Sequence, residues 1–348
     1  MSNQQRKLTI SGPKALQEEA FTTPEAAPGR VVVDITYTGI CGTDVHGWAD
    51  GSMLPPAVFG HEWTGTVSAV GDGVTDVAPG DRVVGGVGPA CGTCPQCRGG
   101  HAKQCDTVFA EANGVDSAAP TYGAFATQVH VSSRRVIPVP DALSDIEAAL
   151  VEPAAVTFHA VRRAGIVPGE IGVVVGAGPI GLLTAQNARN AGLGRVIISE
   201  PVEARRRVAT GLGFTDVVHP DDVTDLITEA TGGVGADVVF ECAGVASLLQ
   251  PSATMVRRGG TLSLLGFPLT ESTVSYADWQ QRELTVIGSL AYNHDDFVGV
   301  MRVIADKRID VTPLHTGTMG LDHLADILSE LDSGSSDHAK VLIDPTLT

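Results

Sequence analysis

Positive charge is scarce in this chain: 23 Lys and Arg stand against 40 Asp and Glu in 348 residues, a formal net charge of −17. The longest basic run is Arg205-Arg206-Arg207, which offers no cationic groove to a phosphate backbone, so nucleic acid is not an expected partner. Long apolar runs are missing too. The longest, such as Ile171 to Val175, fall far short of the ~20 residues that span a bilayer, and Met1-Ser2-Asn3-Gln4-Gln5 lacks a signal-peptide core. The expectation is a soluble cytoplasmic protein with no membrane partner. Low-complexity tracts and short-period repeats are also lacking. What is present, 43% hydrophobic residues with 41 Gly and 20 Pro, reads as a folded chain long enough for two domains.

Cysteine is sparse, six in all, yet Cys91, Cys94, Cys97 and Cys105 crowd into fifteen residues. In a reducing compartment such clustering points to metal before disulfides. Four thiolates spaced C-x2-C-x2-C-x7-C in a Gly- and Pro-rich loop can close a tetrahedron around zinc with no open position, the mark of a structural site. Neither ferredoxin spacing fits, which disfavours an iron-sulfur cluster. Outside this lobe, Cys41 and the pair His61-Glu62 offer a thiolate, an imidazole and a carboxylate. With water completing the shell, that set makes a catalytic zinc site open to an alcohol oxygen. Taken alone, Cys41 is more often a small buried residue and a His-Glu dipeptide means little; their context decides.

Two rhythms divide the chain. Between Val31 and Val139, short apolar runs (Val31 to Ile35, Thr64 to Val70, Arg82 to Val87, Ala124 to Val131) alternate with Gly, Pro and Asp clusters, predicting a β-barrel-like domain with long loops. From about Glu147, strands alternate with helical segments. Ile171 to Val175, Arg195 to Ser199, Asp216 to His219, Asp237 to Glu241 and Thr261 to Leu265 predict a parallel, doubly wound sheet, with a helix over Leu182 to Ala191. After Tyr292, helices over Phe297 to Ala305 and Leu321 to Leu331 and a strand over Lys340 to Ile343 leave that repeat. The tail is therefore expected to return to the first domain.

Gly176-Ala177-Gly178-Pro179-Ile180-Gly181 follows the strand Ile171 to Val175 and opens a helix. Gly176 permits the tight turn, Gly178 lets a pyrophosphate approach the backbone, and Gly181 allows close helix–strand packing. A lone GxGxxG is weak; Glu200, ending the next strand, strengthens it. Its carboxylate would accept hydrogen bonds from both adenosine ribose hydroxyls and repel a 2′-phosphate, so NAD is expected over NADP. Arg205 stands beside the adenine edge and could meet a 2′-phosphate. Leu265, Gly266 and Ser289, at the ends of later strands, complete the expected cofactor residues.

Gly60-His61-Glu62 with the run through Gly80-Asp81-Arg82-Val83, the four-cysteine lobe, Val151-Glu152-Pro153 and Gly176 to Gly181 occur in one order and spacing over nearly the whole chain. Together they resemble the zinc-containing medium-chain dehydrogenases, most closely the butanediol, sorbitol and threonine dehydrogenase branch. The resemblance implies a GroES-like catalytic domain (residues 1–153 and 293–348, with a zinc lobe at about 89–107) and an inserted Rossmann domain (154–292). It makes Cys41 and His61 zinc ligands, and makes Glu62 and Glu152 carboxylates that ligate directly, alternately or through water. Classical alcohol dehydrogenases carry a cysteine near the position of Glu152, so a glutamate favours the polyol branch. Thr43 and His46 match a relay that passes the hydroxyl proton through the nicotinamide ribose to water. Two zinc ions per chain and a homotetramer or homodimer, through edge strands including Thr285 to Ser289, are implied as well.

The activity expected is NAD-dependent oxidation of a secondary alcohol, a diol or polyol such as 2,3-butanediol or sorbitol, to a ketone. L-Threonine 3-dehydrogenase and a general alcohol dehydrogenase are the competing enzymes, and a non-catalytic nucleotide-binding protein is the alternative of another class. No unambiguous arginine for an amino acid carboxylate is evident near the expected pocket, and a sensor would not need Thr43 and His46. Trp48, Trp63 and Tyr122, with the loops Gly47 to Pro56 and Phe109 to Thr121, are candidates for shaping the substrate pocket.

Overall fold

Strand-forming runs rich in Val and Ile build two separate sheets in a computed structural model that describes residues 4–23, 25–52, 59–113, 123–268 and 270–347. The chain divides into two compact units. The first comprises Met1–Glu152, Tyr292–Ala305 and Leu314–Thr348; the second comprises Pro153–Ala291 and Asp306–Pro313.

In the first unit the long strand Arg30–Gly39 lies at the centre of a seven-stranded sheet. It pairs with Glu62–Val70, Gln128–Ser132 and Lys340–Ile343, all antiparallel. Val31, Val32 and Val33 are all buried rather than alternating, so both faces of the strand are covered there. Arg82–Gly85 and Val136–Pro138 extend one side of the sheet, and His315–Met319 the other. The strand expected over Ala124 to Val131 begins only at Gln128. Before it the chain turns to a different partner, with Phe125 and Thr127 bonding the N-terminal strand Gln5–Gly12. That strand forms a hairpin with Ala15–Phe21, which the sequence reading did not anticipate; Lys14 in its turn takes the left-handed conformation, φ 54°.

The tail does pack onto this unit. Leu324, Ile327 and Leu328 of the helix Leu324–Ser333 bury against Ile40, Val45 and Trp48, which steadies the helix Gly42–Asp50 at whose start Cys41 sits. A one-turn 3-10 segment, Leu321–His323, precedes the C-terminal helix where the sequence pattern suggested continuous helix.

The second unit is a six-stranded parallel sheet in the order Asp216–Val218, Arg195–Ser199, Ile171–Val175, Ala236–Glu241, Val256–Leu264, Thr285–Gly288. That is the doubly wound 3-2-1-4-5-6 order, whose reversal beside Ile171–Val175 marks where a dinucleotide binds. The fifth strand starts five residues earlier than expected. Its Arg257-Arg258-Gly259-Gly260 portion is polar, and Arg257 is held by Asp237 at 2.7 Å rather than by burial. Asp306–Pro313, assigned from sequence to the first domain, clusters with the second unit. Gln186 exchanges two hydrogen bonds with the Asp310 backbone, donating to its carbonyl at 3.0 Å and accepting from its N–H at 2.8 Å.

Candidate active site and metal centres

The helix Gly42–Asp50 begins immediately after Cys41, in extended conformation, and the strand Glu62–Val70 begins immediately after His61. Both candidate ligands thus sit where a loop gives way to a rigid element. Cys41 Sγ, a ring nitrogen of His61 and a carboxylate oxygen of Glu62 lie within 4.8 Å of one another. A helix N-terminus favours negative charge, which suits the Cys41 thiolate. Soft sulfur, imidazole and carboxylate together are a donor set that zinc accepts, so the residues present fit the metal.

Asp44, fully buried, braces this corner. Its carboxylate accepts hydrogen bonds from the Cys41 N–H at 2.9 Å and the Gly60 N–H at 2.9 Å, and its Oδ1 stands 3.6 Å from His61 Nδ1. Burial pulls the His61 pKa down, but the charges of Asp44 and Cys41 more than offset it and the net direction is up. The C-x-x-D pattern from Cys41 to Asp44 is a helix-start signal that could have been read from sequence.

Glu152, in the first turn of the helix Val151–Ala164, is 6% exposed. Desolvation pushes its pKa up to about 7; the His61 charge pulls it down, Glu62 raises it further, and a hydrogen bond from Tyr292 lowers it. A divalent cation would reverse that logic and favour the carboxylate. Tyr292 packs edge-on against Phe297 with centroids 4.6 Å apart. No sequence pattern pointed to Tyr292, nor to Lys340, whose ammonium meets Glu62 across 278 positions of chain. Thr43 and His46 are exposed and three residues apart, which places them on one face of the helix that starts at Cys41.

The four-cysteine lobe assembles as its spacing predicts, all four sulfurs within 4.8 Å of one another. Backbone N–H groups of Cys91, Cys94 and Cys97 point at neighbouring sulfurs at 3.3 to 3.4 Å. Hydrogen bonds from Thr107 and Thr93 lower the Cys91 pKa to about 5, while desolvation and the adjoining thiols push Cys97 up to about 12. Cys105, 1% exposed, roots the lobe among Val87 and Val108. Four sulfurs with no other donor suit a closed zinc site.

In the second unit, Gly176 takes φ 97°, a value that excludes most side chains, and its N–H bonds the Ser199 carbonyl at 2.8 Å. A Cβ on Gly181 would overlap the Gly176 carbonyl, whereas Gly178, capping the helix Pro179–Ala191, faces open space. Glu200 is 2% exposed, and each of its oxygens already accepts a backbone N–H, Ala177 at 2.7 Å and Val202 at 2.9 Å. A carboxylate oxygen has a second lone pair, so ribose hydroxyls can still be accepted. Arg206 is committed to the Glu200 and Pro201 carbonyls, whereas Arg205 is exposed and Arg207, exposed as well, pairs with Glu203 at 2.7 Å.

Glu241, to which no sequence motif gave a role, ends the fourth strand of the sheet. Its Oε1 accepts from the Ala243 and Gly244 N–H groups at 2.9 and 3.0 Å, and burial raises its pKa. Its backbone carbonyl accepts from Leu265 and Gly266 at 2.9 Å. Ser289 Oγ is buried with no hydrogen-bond partner among the described residues. An orphaned hydroxyl and an open glycine at the carboxyl edge of a parallel sheet fit a dinucleotide. Cys242 takes no part; burial pushes its thiol up to about 12 and it faces Thr184. Trp48 and Trp63 are core residues, 3% and 8% exposed, although Trp63 also borders a small cavity with His61 and Tyr292. Tyr122 and the loop stretches 53–56 and 114–121 lie outside the described residues.

Two family models match the chain: "Alcohol dehydrogenase GroES-like domain" over residues 27–141 and "Zinc-binding dehydrogenase" over residues 179–306. The chain is 33% identical to 2-dehydro-3-deoxy-L-galactonate 5-dehydrogenase from Pseudoalteromonas atlantica over 320 residues, covering 91% of this chain and 92% of that protein. It is 30% identical to sorbitol dehydrogenase from Halalkalibacterium halodurans, covering 96% of each. The crystal structure of 2R,3R-butanediol dehydrogenase from Bacillus subtilis superposes with a TM-score of 0.83 at 28% identity, covering 98% of this chain and all of that one. Among the described residues, no helix is long and apolar enough to cross a membrane.

Proposed function

Since the chain belongs to the zinc-containing medium-chain dehydrogenase family, we propose that it oxidises the secondary hydroxyl of a diol or polyol to a ketone with NAD. The observation that carries this reading is the trio Cys41, His61 and Glu62 with Glu152 beside it: a carboxylate at position 152, near which classical alcohol dehydrogenases carry a cysteine. The relatives named above act on polyhydroxylated or vicinal substrates, which supports the same class.

Cys41, His61, Glu62 and Glu152 would hold the catalytic zinc, and Cys91, Cys94, Cys97 and Cys105 a structural one. When bound, zinc acidifies a substrate hydroxyl and NAD accepts the hydride. Asp44 keeps the His61 ring in its ligating orientation. Thr43 Oγ1 takes the hydroxyl proton and the His46 imidazole delivers it to water, a role its exposure allows. Gly176, Gly178, Pro179, Ile180 and Gly181 cradle the pyrophosphate, Glu200 the adenosine ribose, and Leu265, Gly266 and Ser289 the nicotinamide end. The domains run over residues 1–153 with 293–348, and 154–292, apart from the Asp306–Pro313 segment noted above.

We place the chain in the cytoplasm, where thiols stay reduced and serve as zinc donors. We also propose a homodimer or homotetramer through the strand Thr285–Gly288, supported by its place at the sheet edge and by Val286 and Tyr276, 39% and 73% exposed.

The test is NADH formation from butanediol, sorbitol, threonine and ethanol alongside zinc per chain by elemental analysis. Two zincs and turnover of a diol or polyol are expected; preference for threonine or ethanol would move the substrate class. Absence of NADH with every alcohol would leave a nucleotide-binding protein without catalysis. Cofactor choice has its own variant: Glu200→Ala should improve kcat/KM with NADP relative to NAD by about tenfold, ~1.4 kcal/mol. An unchanged ratio would mean that Glu200 serves only the backbone N–H groups it already caps.

A further inference from the structure

We propose that Lys340 is a positioning residue of the Cys41–His61 centre: it fixes the Glu62 carboxylate and supplies the positive charge that lets a thiolate and two carboxylates share one buried site. The inference rests on the reading of that centre as the catalytic zinc site.

Lys340 opens the last strand of the chain and is 5% exposed. Its Nζ donates to the Ile40 carbonyl at 2.9 Å and to Glu62 Oε1 and Oε2 at 2.8 and 2.6 Å. Those contacts use all three donors of an ammonium. Ile40 immediately precedes Cys41 and Glu62 immediately follows His61, so one side chain ties the backbone at one ligand to the carboxylate beside the other. The slot for that carboxylate is built. Gly39 faces Glu62 across the sheet, and a Cβ on Gly39 would lie 2.5 Å from Glu62 Oε2. Glu62 is therefore held on two sides, whereas Glu152 is tied by the Tyr292 hydroxyl.

Charge decides what this clamp does. Cys41, Glu62 and Glu152, all ionised, carry three negative charges, one more than a divalent cation offsets; Lys340 makes the set neutral. Without Lys340, zinc would be held at least as tightly by a more anionic shell, but its pull on a substrate hydroxyl would weaken. A residue that merely props the fold would act the other way, loosening zinc while leaving each bound zinc fully active.

The experiment compares full-length wild type, Lys340→Met and Lys340→Arg, metal-stripped and zinc-loaded. It reads zinc affinity by chelator competition, melting temperature with and without zinc, and kcat per bound catalytic zinc. Metal-free Lys340→Met should melt lower than wild type, because Glu62 is left buried and unpaired. Zinc should raise its melting temperature by more than it raises that of wild type, and kcat per bound zinc should fall about tenfold or more. Lys340→Arg should recover most of that loss. Weaker zinc binding with unchanged kcat per bound zinc would overturn the proposal. If Lys340→Met does not fold, Gly39→Ala displaces Glu62 from the ammonium and should lower kcat per bound zinc, and full activity of that variant would overturn it equally. A wild-type chain that binds zinc only at the four-cysteine lobe would overturn the zinc reading of the centre along with it.

Discussion

Cys41→Ser is expected to remove turnover while the protein stays folded. In the proposed centre Cys41 places its sulfur at a helix start, within 4.8 Å of a ring nitrogen of His61 and a carboxylate oxygen of Glu62. A serine hydroxyl is a far poorer zinc donor at neutral pH, since ligands must be deprotonated to bind well. Loss of Lewis-acid stabilisation worth about 5 kcal/mol lowers kcat by roughly three to four powers of ten. The packing around position 41 barely changes, because Cys41 is only partly buried and its backbone N–H would still donate to Asp44. Zinc content should fall by one ion per chain, with the four-cysteine ion retained. Full activity in this variant would remove Cys41 from the catalytic centre.

Cys94→Ser should act on stability instead. Cys94 Sγ accepts the Cys97 N–H at 3.4 Å and lies 3.9 Å from Cys105 Sγ. Of the four cysteines only Cys105 is fully buried, and the cluster that Cys91, Cys94 and Cys97 pack against has just Val87 and Val108 beside it, a small core to hold the lobe together once the metal leaves. Binding energy in a closed site of this kind is folding energy. A loss on the order of 4 kcal/mol, the scale reached when a structural metal is lost, corresponds to a fall of roughly 8–16 °C in melting temperature. Turnover at low temperature should persist, since the lobe supplies none of the catalytic ligands. An unchanged melting temperature and unchanged zinc content would count against a structural ion. The two variants thus separate the centres: one loses rate and keeps stability, the other the reverse.

Legibility from the sequence follows the range of the interaction. Ile171 to Val175 and Arg195 to Ser199 were read to the residue, because each is a continuous apolar run in a sheet buried on both faces. The N-terminal hairpin escaped, since only Leu8 and Ile10 of its first strand join the core cluster and no residue of its second strand is fully buried. The start of Val256–Leu264 escaped for a related reason: its arginines and glycines are held by the ladder and by Asp237, not by burial.

The same division holds at the sites. Spacing alone pointed to the four-cysteine lobe, the GxGxxG turn and the pair His61 with Glu62, because each is closed within a loop or a helical turn. Those short-range motifs, with the alternation of strand and helix, determined the family, the two sheets and the ligand types. Tertiary structure alone decided that Lys340 meets Glu62, that Tyr292 meets Glu152, that Glu200 accepts the Ala177 N–H, and that Asp306–Pro313 sides with Gln186. Those pairings join residues far apart in the chain, and nothing local encodes them. A buried carboxylate must find a partner somewhere, and only the folded chain shows which donor is within reach.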